Sequence, residues 1–247
     1  MEKLIGQKKE INHNLENYDA TKFPKPSVAV DIAICSFFEN DLKILLVKRK
    51  KDTEAFPGWW AIPGGFLELA RKESLEQAAA RELEEETHIK NMYFEQLKTY
   101  GDPGRDPREF TPKGTRVISV VYFALVSYDK ILEQKIEADD DVDDAKWFSL
   151  KSLPKKLAFD HDKILKDLLN RIIGKISYTP IAFELLPKQF TWNELQNIYT
   201  VILNKIDTAH NFRRKISSMF EIKKLETKKK AYGRPSFLLE YVSQKSF

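Results

Sequence analysis

The sequence predicts a mixed α/β domain followed by a helical domain that closes with two β-strands. In the first 150 residues, runs of β-branched and aromatic residues surround one strongly helical segment. From Asp160 onward, apolar residues recur at helical spacing, and residues 220–242 return to a strand pattern rich in lysine. We therefore divide the chain into a polar lead-in (1–24), an α/β domain (25–155) and a C-terminal domain (156–247).

The α/β domain opens with a predicted hairpin, since two β-rich runs flank the turn at 39–41. Pro63-Gly64-Gly65 is expected to interrupt regular structure. A helix is predicted over 74–87, because Ser74 and Gln77 form a capping box at its start. The predicted strands of this domain are 27–38, 42–49, 93–99, 117–127 and a short one at 146–148.

The C-terminal domain is predicted to contain four helices and a hairpin. The first helix runs from Asp160 and stops at Gly174, and a short second one runs from its cap Thr179 to Leu186. The third begins at the capping box of Thr191 and Glu194 and runs to Leu203. The fourth is capped by Asp207 or Thr208 and runs to Met219. Strands follow at 220–227 and 237–242. Helices followed by a two-stranded hairpin are typical of a winged helix-turn-helix.

Composition excludes several classes of protein. The single cysteine, Cys35, rules out an intrachain disulfide or a cysteine-cluster zinc site and suits a reducing compartment. Residues 1–16 lack the apolar segment of a signal peptide. The longest apolar-rich run, 117–126, is far shorter than the about 20 residues that cross a bilayer. We expect a cytoplasmic protein that does not enter a membrane.

Charge is distributed unevenly. Residues 160–247 hold 16 Lys and Arg against 9 Asp and Glu, whereas residues 1–159 hold 25 against 28. Within 205–234 the count is 10 basic to 3 acidic residues. This asymmetry favours a C-terminal domain that binds an anion such as nucleic acid, although a solvated lysine-rich face explains the charge alone equally well.

The helix over 74–87 carries a cluster of carboxylates. Glu82, Glu85 and Glu86 are spaced i, i+3 and i+4, so their side chains share one patch. Glu82 and Glu86 flank the apolar stripe that faces inward, which consists of Leu75, Ala79 and Leu83. Like charges beside a core are unfavourable unless a cation joins them, and Mg²⁺ or Mn²⁺ prefers such hard oxygen ligands. A solvated acidic surface is the alternative.

The segment 65–89 resembles the Nudix box. The matching residues are Gly65, Glu73, Arg81, Glu82, Leu83, Glu85, Glu86 and Ile89. This resemblance implies an α/β/α sandwich around a mixed sheet and hydrolysis of a nucleoside diphosphate linked to another group. It also implies catalytic roles for Arg81, Glu73 and the three clustered glutamates. Glu82, Glu85 and Glu86, with the backbone of Gly65, would hold the metal, and Arg81 would orient a glutamate; Glu73 is placed to pair with it.

The box departs from the family pattern in two places. Seven residues separate Gly65 from Glu73 where the family has five, and His88 stands where the family has glycine. Substrate choice in this family is set outside the box. The candidate regions here are the loops 101–108 and 137–144, the second of which is equally well explained as a solvated turn.

The last predicted helix is the candidate DNA-reading element. In a helix-turn-helix, the N-terminal residues of the second helix contact base edges. The residues suited to bases or phosphates are His210, Asn211, Arg213, Arg214 and Lys215, and Phe212 and Ile216 are expected to face the core. At the hairpin tip, Lys228, Lys229, Lys230 and Arg234 would meet the phosphate backbone or the minor groove. A basic dimerisation domain is the alternative.

Together the two domains resemble the Nudix-related transcriptional regulators of NAD metabolism. The resemblance lies in Gly101 to Arg108, Val117 to Tyr122, Tyr178 to Phe183, Asn211 to Lys215 and Gly233 to Pro235. It implies a homodimer that senses ADP-ribose or a related nucleotide and binds a palindromic operator in double-stranded DNA. Related regulators of sugar catabolism share the architecture. A Nudix ADP-ribose pyrophosphatase with a C-terminal dimerisation domain, and a regulator without catalysis, remain alternatives.

Overall fold

The computed structural model describes residues 19–87, 92–133, 142–229 and 235–245, with the backbone alone at 86–87 and 142–144. Seven strands of the first domain form one sheet. They are β1 (Ser27–Phe38), β2 (Asp41–Arg49), β3 (Trp60–Ala61), β4 (Gly64–Phe66), β5 (Tyr93–Tyr100), β6 (Val117–Val126) and β7 (Val142–Ser149). The helices of this domain are α1 (Leu75–Thr87) and α2 (Tyr128–Glu133). Helix α2 was not predicted.

The sheet is mixed. Its main path is β3-β2-β1-β6-β5, with β4 also paired to β1 and β7 paired to β2. Strands β1 and β6 run parallel, in a register that joins Asp31 to Val121, and the other pairs are antiparallel. The predicted hairpin of β1 and β2 is confirmed.

The sheet lies between two helical layers, as expected of an α/β/α sandwich. On one face, Val30, Ile32 and Ile34 of β1 pack with Ala79 and Leu83 of α1. On the other face, alternate residues of the same strands pack against α3 (His161–Ile176) and the helices that follow it. This alternation follows from the two-residue repeat of a strand, and it places α1 and α3 on opposite faces.

The sequence predicts an interruption of regular structure at 63–65 and a helix end at Gly174, and both predictions are wrong. Gly64–Phe66 forms strand β4, because it hydrogen-bonds antiparallel to β1 instead of leaving the sheet. Gly174 does not end α3, which runs on to Ile176, because Ile172 and Ile176 are both buried and hold the last turn against the core. The short strand expected at 146–148 also begins earlier, at Val142, because it pairs along β2.

The C-terminal domain has the predicted winged-helix order. After α3 and a 3-10 helix at Pro180–Leu185 come α4 (Trp192–Leu203), α5 (Ala209–Met219), β8 (Phe220–Lys229) and β9 (Ser236–Gln244). The capping box of Thr191 and Glu194 is present, and Thr208 caps α5. Thr179 precedes the 3-10 helix but does not cap it with its side chain, since its hydroxyl donates to the Lys175 carbonyl instead.

Within the described ranges, no helix combines the length and apolar character that a bilayer crossing requires.

Candidate functional site

Helix α1 holds its carboxylates around one arginine. The capping box of Ser74 and Gln77 forms as predicted and fixes the start of the helix. Arg81 donates to both carboxylate oxygens of Glu73 at 3.0 and 3.2 Å, which confirms the expected pairing. The same guanidinium donates to Glu82 at 2.8 Å and to Glu85 at 2.9 Å. Arg81 therefore fixes the positions of three glutamates.

Glu82 is largely covered by its surroundings, whereas Glu85 is exposed. The Glu82 side chain is 12% exposed, against 45% for Glu85. Burial raises the pKa of Glu82, and the bond from Arg81 opposes that shift. Arg81 in turn lowers the pKa of Glu73. A largely covered carboxylate with a raised pKa is a position where a cation would be stabilising.

Gly65 lies directly against Glu82. A Cβ at this position would stand 2.7 Å from the Glu82 Oε1 atom, so only glycine allows the carboxylate to approach the backbone of β4. Glu82, Glu85 and the Gly65 backbone therefore fit a hard divalent cation. Among the side chains that the structure describes, no three acidic, histidine or cysteine residues form a complete metal cluster. Glu86, the third predicted ligand, belongs to α1, but its side chain lies outside that set.

Arg81, Glu82 and Glu85 line one cavity. A second cavity adjoins it, and the two share a wall formed by Arg49, Ala61, Ile62 and residues 64–66. The other polar residues that line the second cavity are Asp31, Arg105, Asp106, Arg108 and His161, and Phe159 supplies an aromatic face. The predicted loop 101–108 therefore does reach the site. Most of the other candidate loop, 137–144, lies outside the described residues.

Asp31 is a charged residue in the middle of the buried strand β1. The Ser119 hydroxyl of β6 donates to its Oδ2 atom. Burial raises the pKa of Asp31 to about 6, and the Ser119 bond opposes the shift. The sequence contains a signal for Asp31, since this aspartate interrupts the apolar run 28–35.

His161, the first residue of α3, lines this cavity. Arg105, whose side chain is 4% exposed, donates to Asp160 at 2.8 Å. His161 is buried, and its Nδ1 atom accepts the Ile62 N–H at 2.9 Å. Burial lowers the pKa of His161 to about 3, so the imidazole is neutral. Sequence reasoning missed Arg49, Phe159, Asp160 and His161, because each lies far from the box along the chain.

Helix α5 presents the predicted DNA-reading face. Phe212 and Ile216 are 3% and 0% exposed, which confirms that they anchor the helix in the core. The other predicted residues are exposed: His210, Asn211, Arg213, Arg214 and Lys215. The Arg213 guanidinium lies 5.8 Å from the ring of Trp192 at the start of α4. The outer face of α5 is thus basic and accessible.

Both strands of the wing are described, and only the tip at 230–234 lies outside the described residues. Lys228 lies 4.6 Å from the ring of Phe237, and Lys229 pairs with Glu194 at 2.6 Å. Lys230 and Arg234, also predicted to contact DNA, lie outside the described residues. The charge of Lys229 is therefore already balanced within the domain.

The family model for the NUDIX domain matches residues 27–168, and the model for the NrtR DNA-binding winged helix domain matches residues 182–240. An "ADPR responsive transcriptional repressor NtrR" from Acinetobacter baylyi is 34% identical over 93% of this chain and 88% of its own length. An ADP-ribose pyrophosphatase from Methanocaldococcus jannaschii is 41% identical over 58% of this chain and 73% of its own.

Among the solved structures that are similar across both domains is that of Shewanella oneidensis NrtR complexed with a 27mer DNA, with a TM-score of 0.75 and 32% identity. The similarity covers 87% of this chain and 93% of that chain.

Proposed function

This chain belongs to the Nudix family and carries an NrtR-type winged helix after its Nudix domain, and we propose that it is a transcriptional repressor whose Nudix domain senses ADP-ribose. One observation carries the proposal: the cavity and the DNA-binding domain share a helix. His161, the first residue of α3, lines the cavity, and Asp160 just before it accepts a hydrogen bond from Arg105, another lining residue. Farther along α3, Leu168 and Ile172 belong to the apolar cluster that contains Phe212 of α5.

The DNA-binding step is assigned to α5. With Phe212 and Ile216 buried, the helix is held so that Asn211, Arg213 and Arg214 face outward. An arginine pairs with guanine in the major groove and an asparagine with adenine, whereas lysines contact phosphates. We propose a homodimer that places two copies of α5 on a palindromic operator, as the two-fold symmetry of such sites requires. A regulator of this kind acts in the cytoplasm.

The ligand is proposed to be ADP-ribose or a close relative. One similar protein is named as ADPR-responsive and another as an ADP-ribose pyrophosphatase. The cavity offers guanidinium groups for phosphates, and that of Arg49 lies against the ring of Phe159. Such groups are suited to a nucleotide that carries a diphosphate.

Hydrolysis of that ligand is a second activity, supported by the arrangement of Arg81 with Glu73, Glu82 and Glu85. Mg²⁺ or Mn²⁺ would be held by the oxygens of Glu82, Glu85, Glu86 and the Gly65 backbone, and would neutralise the charge of the diphosphate. Arg81 keeps Glu82 and Glu85 at fixed positions. Glu73 also pairs with the Arg81 guanidinium and helps to balance its positive charge.

The test combines two assays on one preparation. An electrophoretic mobility-shift assay with promoter fragments, with and without ADP-ribose, measures regulation. Hydrolysis of ADP-ribose in the presence of Mg²⁺ measures turnover. DNA binding that changes when ADP-ribose is added supports the proposed regulator. Turnover without DNA binding would show instead a pyrophosphatase whose C-terminal domain has another role. Regulation without turnover would leave a sensor that does not destroy its ligand.

A further inference from the structure

Arg213 of α5 lies over the ring of a residue from the preceding helix. Its Cζ atom is 5.8 Å from the ring centroid of Trp192, the first residue of α4. A guanidinium group is attracted to an indole face at this distance. Among the side chains that the structure describes, no carboxylate pairs with Arg213. The indole ring of Trp192 therefore orients this guanidinium.

Two other cations on the outer face of α5 lack such a support. Arg214 and Lys215 are exposed, and within the described part of the chain their side chains have neither an ion pair nor an aromatic contact. Contacts with DNA phosphates depend on charge and carry no sequence information directly, so side chains without a fixed position suit them. Arg213 differs from these two residues because its position is set before DNA is bound.

Trp192 is itself held in place. Its ring packs edge-on against Phe212, with 6.4 Å between the ring centroids, and Phe212 is buried against Tyr199 of α4. The capping box fixes the backbone on both sides of Trp192. The Thr191 N–H donates to the Glu194 carboxylate at 2.7 Å, and the Glu194 N–H donates to the Thr191 hydroxyl at 3.3 Å. The indole ring is therefore a fixed support.

The first turn of α4 also holds the wing. Glu194, two residues after Trp192, pairs at 2.6 Å with Lys229, the last residue of β8. Helix α5 and the wing are thus both attached to this turn, α5 through Arg213 and the wing through Lys229. Because the distance between the two elements is fixed in this way, a duplex that contacts the wing meets Arg213 at a defined position.

An arginine that is held by a ring keeps all of its hydrogen-bond donors. The attraction to the ring face uses the positive charge of the guanidinium and none of its five N–H groups. A guanine in the major groove offers the acceptors O6 and N7, which match two of these donors. Ordering a long side chain only on binding lowers affinity by roughly 2- to 12-fold, and a side chain that is already ordered avoids this loss.

We propose that Trp192 is a positioning residue that holds Arg213 for the recognition of a guanine, whereas Arg214 and Lys215 contact phosphates. This inference rests on the proposed function and divides the DNA-binding face of α5 into a residue that reads sequence and residues that supply charge. Loss of the indole ring should therefore reduce sequence discrimination and leave the number of phosphate contacts unchanged.

A duplex that the full chain selects from a pool of random-sequence DNA serves as the probe. Its guanines are replaced one at a time by 7-deazaguanine, which lacks the N7 acceptor, and fluorescence anisotropy measures the affinities at several salt concentrations. For the wild type we expect at least one guanine whose replacement weakens binding by about 5-fold or more, the lower end of the discrimination that a bidentate pair provides.

Four variants separate positioning from charge. Trp192→Leu should lose most of the discrimination, while the slope of log K against log salt stays the same because every charge is retained. Trp192→Phe keeps an aromatic face and should restore part of the discrimination. Arg213→Lys keeps the charge without the planar fork and should lose the discrimination. As the matched control, Arg214→Gln should retain it but reduce the magnitude of the salt slope by about 0.9.

The outcomes separate this inference from the proposed function. Discrimination equal to that of the wild type in Trp192→Leu, or in Arg213→Lys if the first variant does not fold, would overturn the inference alone. A wild type that selects a duplex but tolerates 7-deazaguanine at every position would also overturn it. A wild type that selects no sequence would refute the proposed function as well. A guanine read through Trp192 and Arg213, in a duplex whose affinity ADP-ribose does not change, would support the inference and refute only the sensing role.

Discussion

The Nδ1 atom of His161 accepts a hydrogen bond of 2.9 Å from the backbone N–H of Ile62. The two residues are 99 positions apart. Ile62 leads into the glycines of β4, and His161 begins the helix that joins the two domains. The bond therefore links the backbone beside the carboxylates to the element that leads to the winged helix, and it requires a neutral imidazole.

This requirement predicts a pH dependence of stability. Because the folded pKa of His161 is about 3 and the ordinary value is 6.5, the unfolded state binds a proton first as the pH falls. His161 therefore contributes stability above pH 6.5 that is lost as the pH falls toward 3, by up to about 1.4 kcal/mol per pH unit. Asp31, with its pKa raised to about 6, acts in the opposite sense, because its burial penalty disappears as the pH falls from 6 toward 3.8.

The His161 contribution is isolated by comparison with His161→Gln, which keeps an acceptor for the Ile62 N–H but does not titrate. Urea denaturation at pH 4 to 8 should show the wild type losing stability relative to the variant below pH 6.5. Parallel curves for the two proteins would mean that His161 is not held neutral.

Removal of a carboxylate on α1 should separate hydrolysis from DNA binding. Glu82→Gln is expected to lower Mg²⁺-dependent ADP-ribose turnover by about 100-fold, because even the outer-shell partners of metal ligands are worth about 10- to 100-fold. DNA affinity should be unchanged. Glu76→Gln, an exposed glutamate in the first turn of the same helix, is the matched control and should retain turnover. Equal turnover by both variants would exclude Glu82 from the metal site.

Arg213→Ala should weaken binding to duplex DNA through the loss of a charge on the exposed face of α5. If Arg213 contacts a phosphate, the slope of log K against log salt should also decrease by about 0.9. Fluorescence anisotropy at several salt concentrations measures both quantities. Lys166→Ala removes a charge from the exposed side of α3 and should change neither. An unchanged affinity for Arg213→Ala would remove this residue from the proposed interface.

Glycine substitutions should have opposite effects at two positions. A Cβ at Gly64 would stand 2.3 Å from the Val30 carbonyl oxygen, so Gly64→Ala must displace β4 from β1 and should strongly lower stability. A Cβ at Gly174 meets nothing within 4 Å, and the residue lies inside α3. Gly174→Ala is expected to raise the free energy of unfolding by about 0.5–1 kcal/mol. Thermal denaturation would contradict this reasoning if Gly64→Ala were as stable as the wild type.

The sequence predicted those features that depend on neighbours along the chain. Spacings of a few residues predict the capping boxes at Ser74 and Thr191, the pairing of Glu73 with Arg81 and the burial of Phe212. Such patterns are set by helix geometry, which a sequence contains directly.

The features that escaped prediction depend on the packing of distant segments. The second cavity joins Asp31, Arg49, the loop 101–108 and Phe159, which only the sheet and the start of α3 bring together. Gly174 stays helical because of tertiary contacts by Ile172 and Ile176, which outweigh the local preference of glycine. No local spacing contains that information.

Ligand bound in the Nudix domain is proposed to change the affinity of the winged helix for DNA. The most direct measurement is a pair of anisotropy isotherms for operator DNA, one with and one without saturating ADP-ribose. The Glu82→Gln chain should be used so that turnover does not consume the ligand, and calorimetry should confirm that it is saturated. We expect dissociation constants that differ by roughly 5-fold or more, the lower end of typical allosteric coupling. Superimposable isotherms for the saturated and ligand-free protein would contradict this proposal.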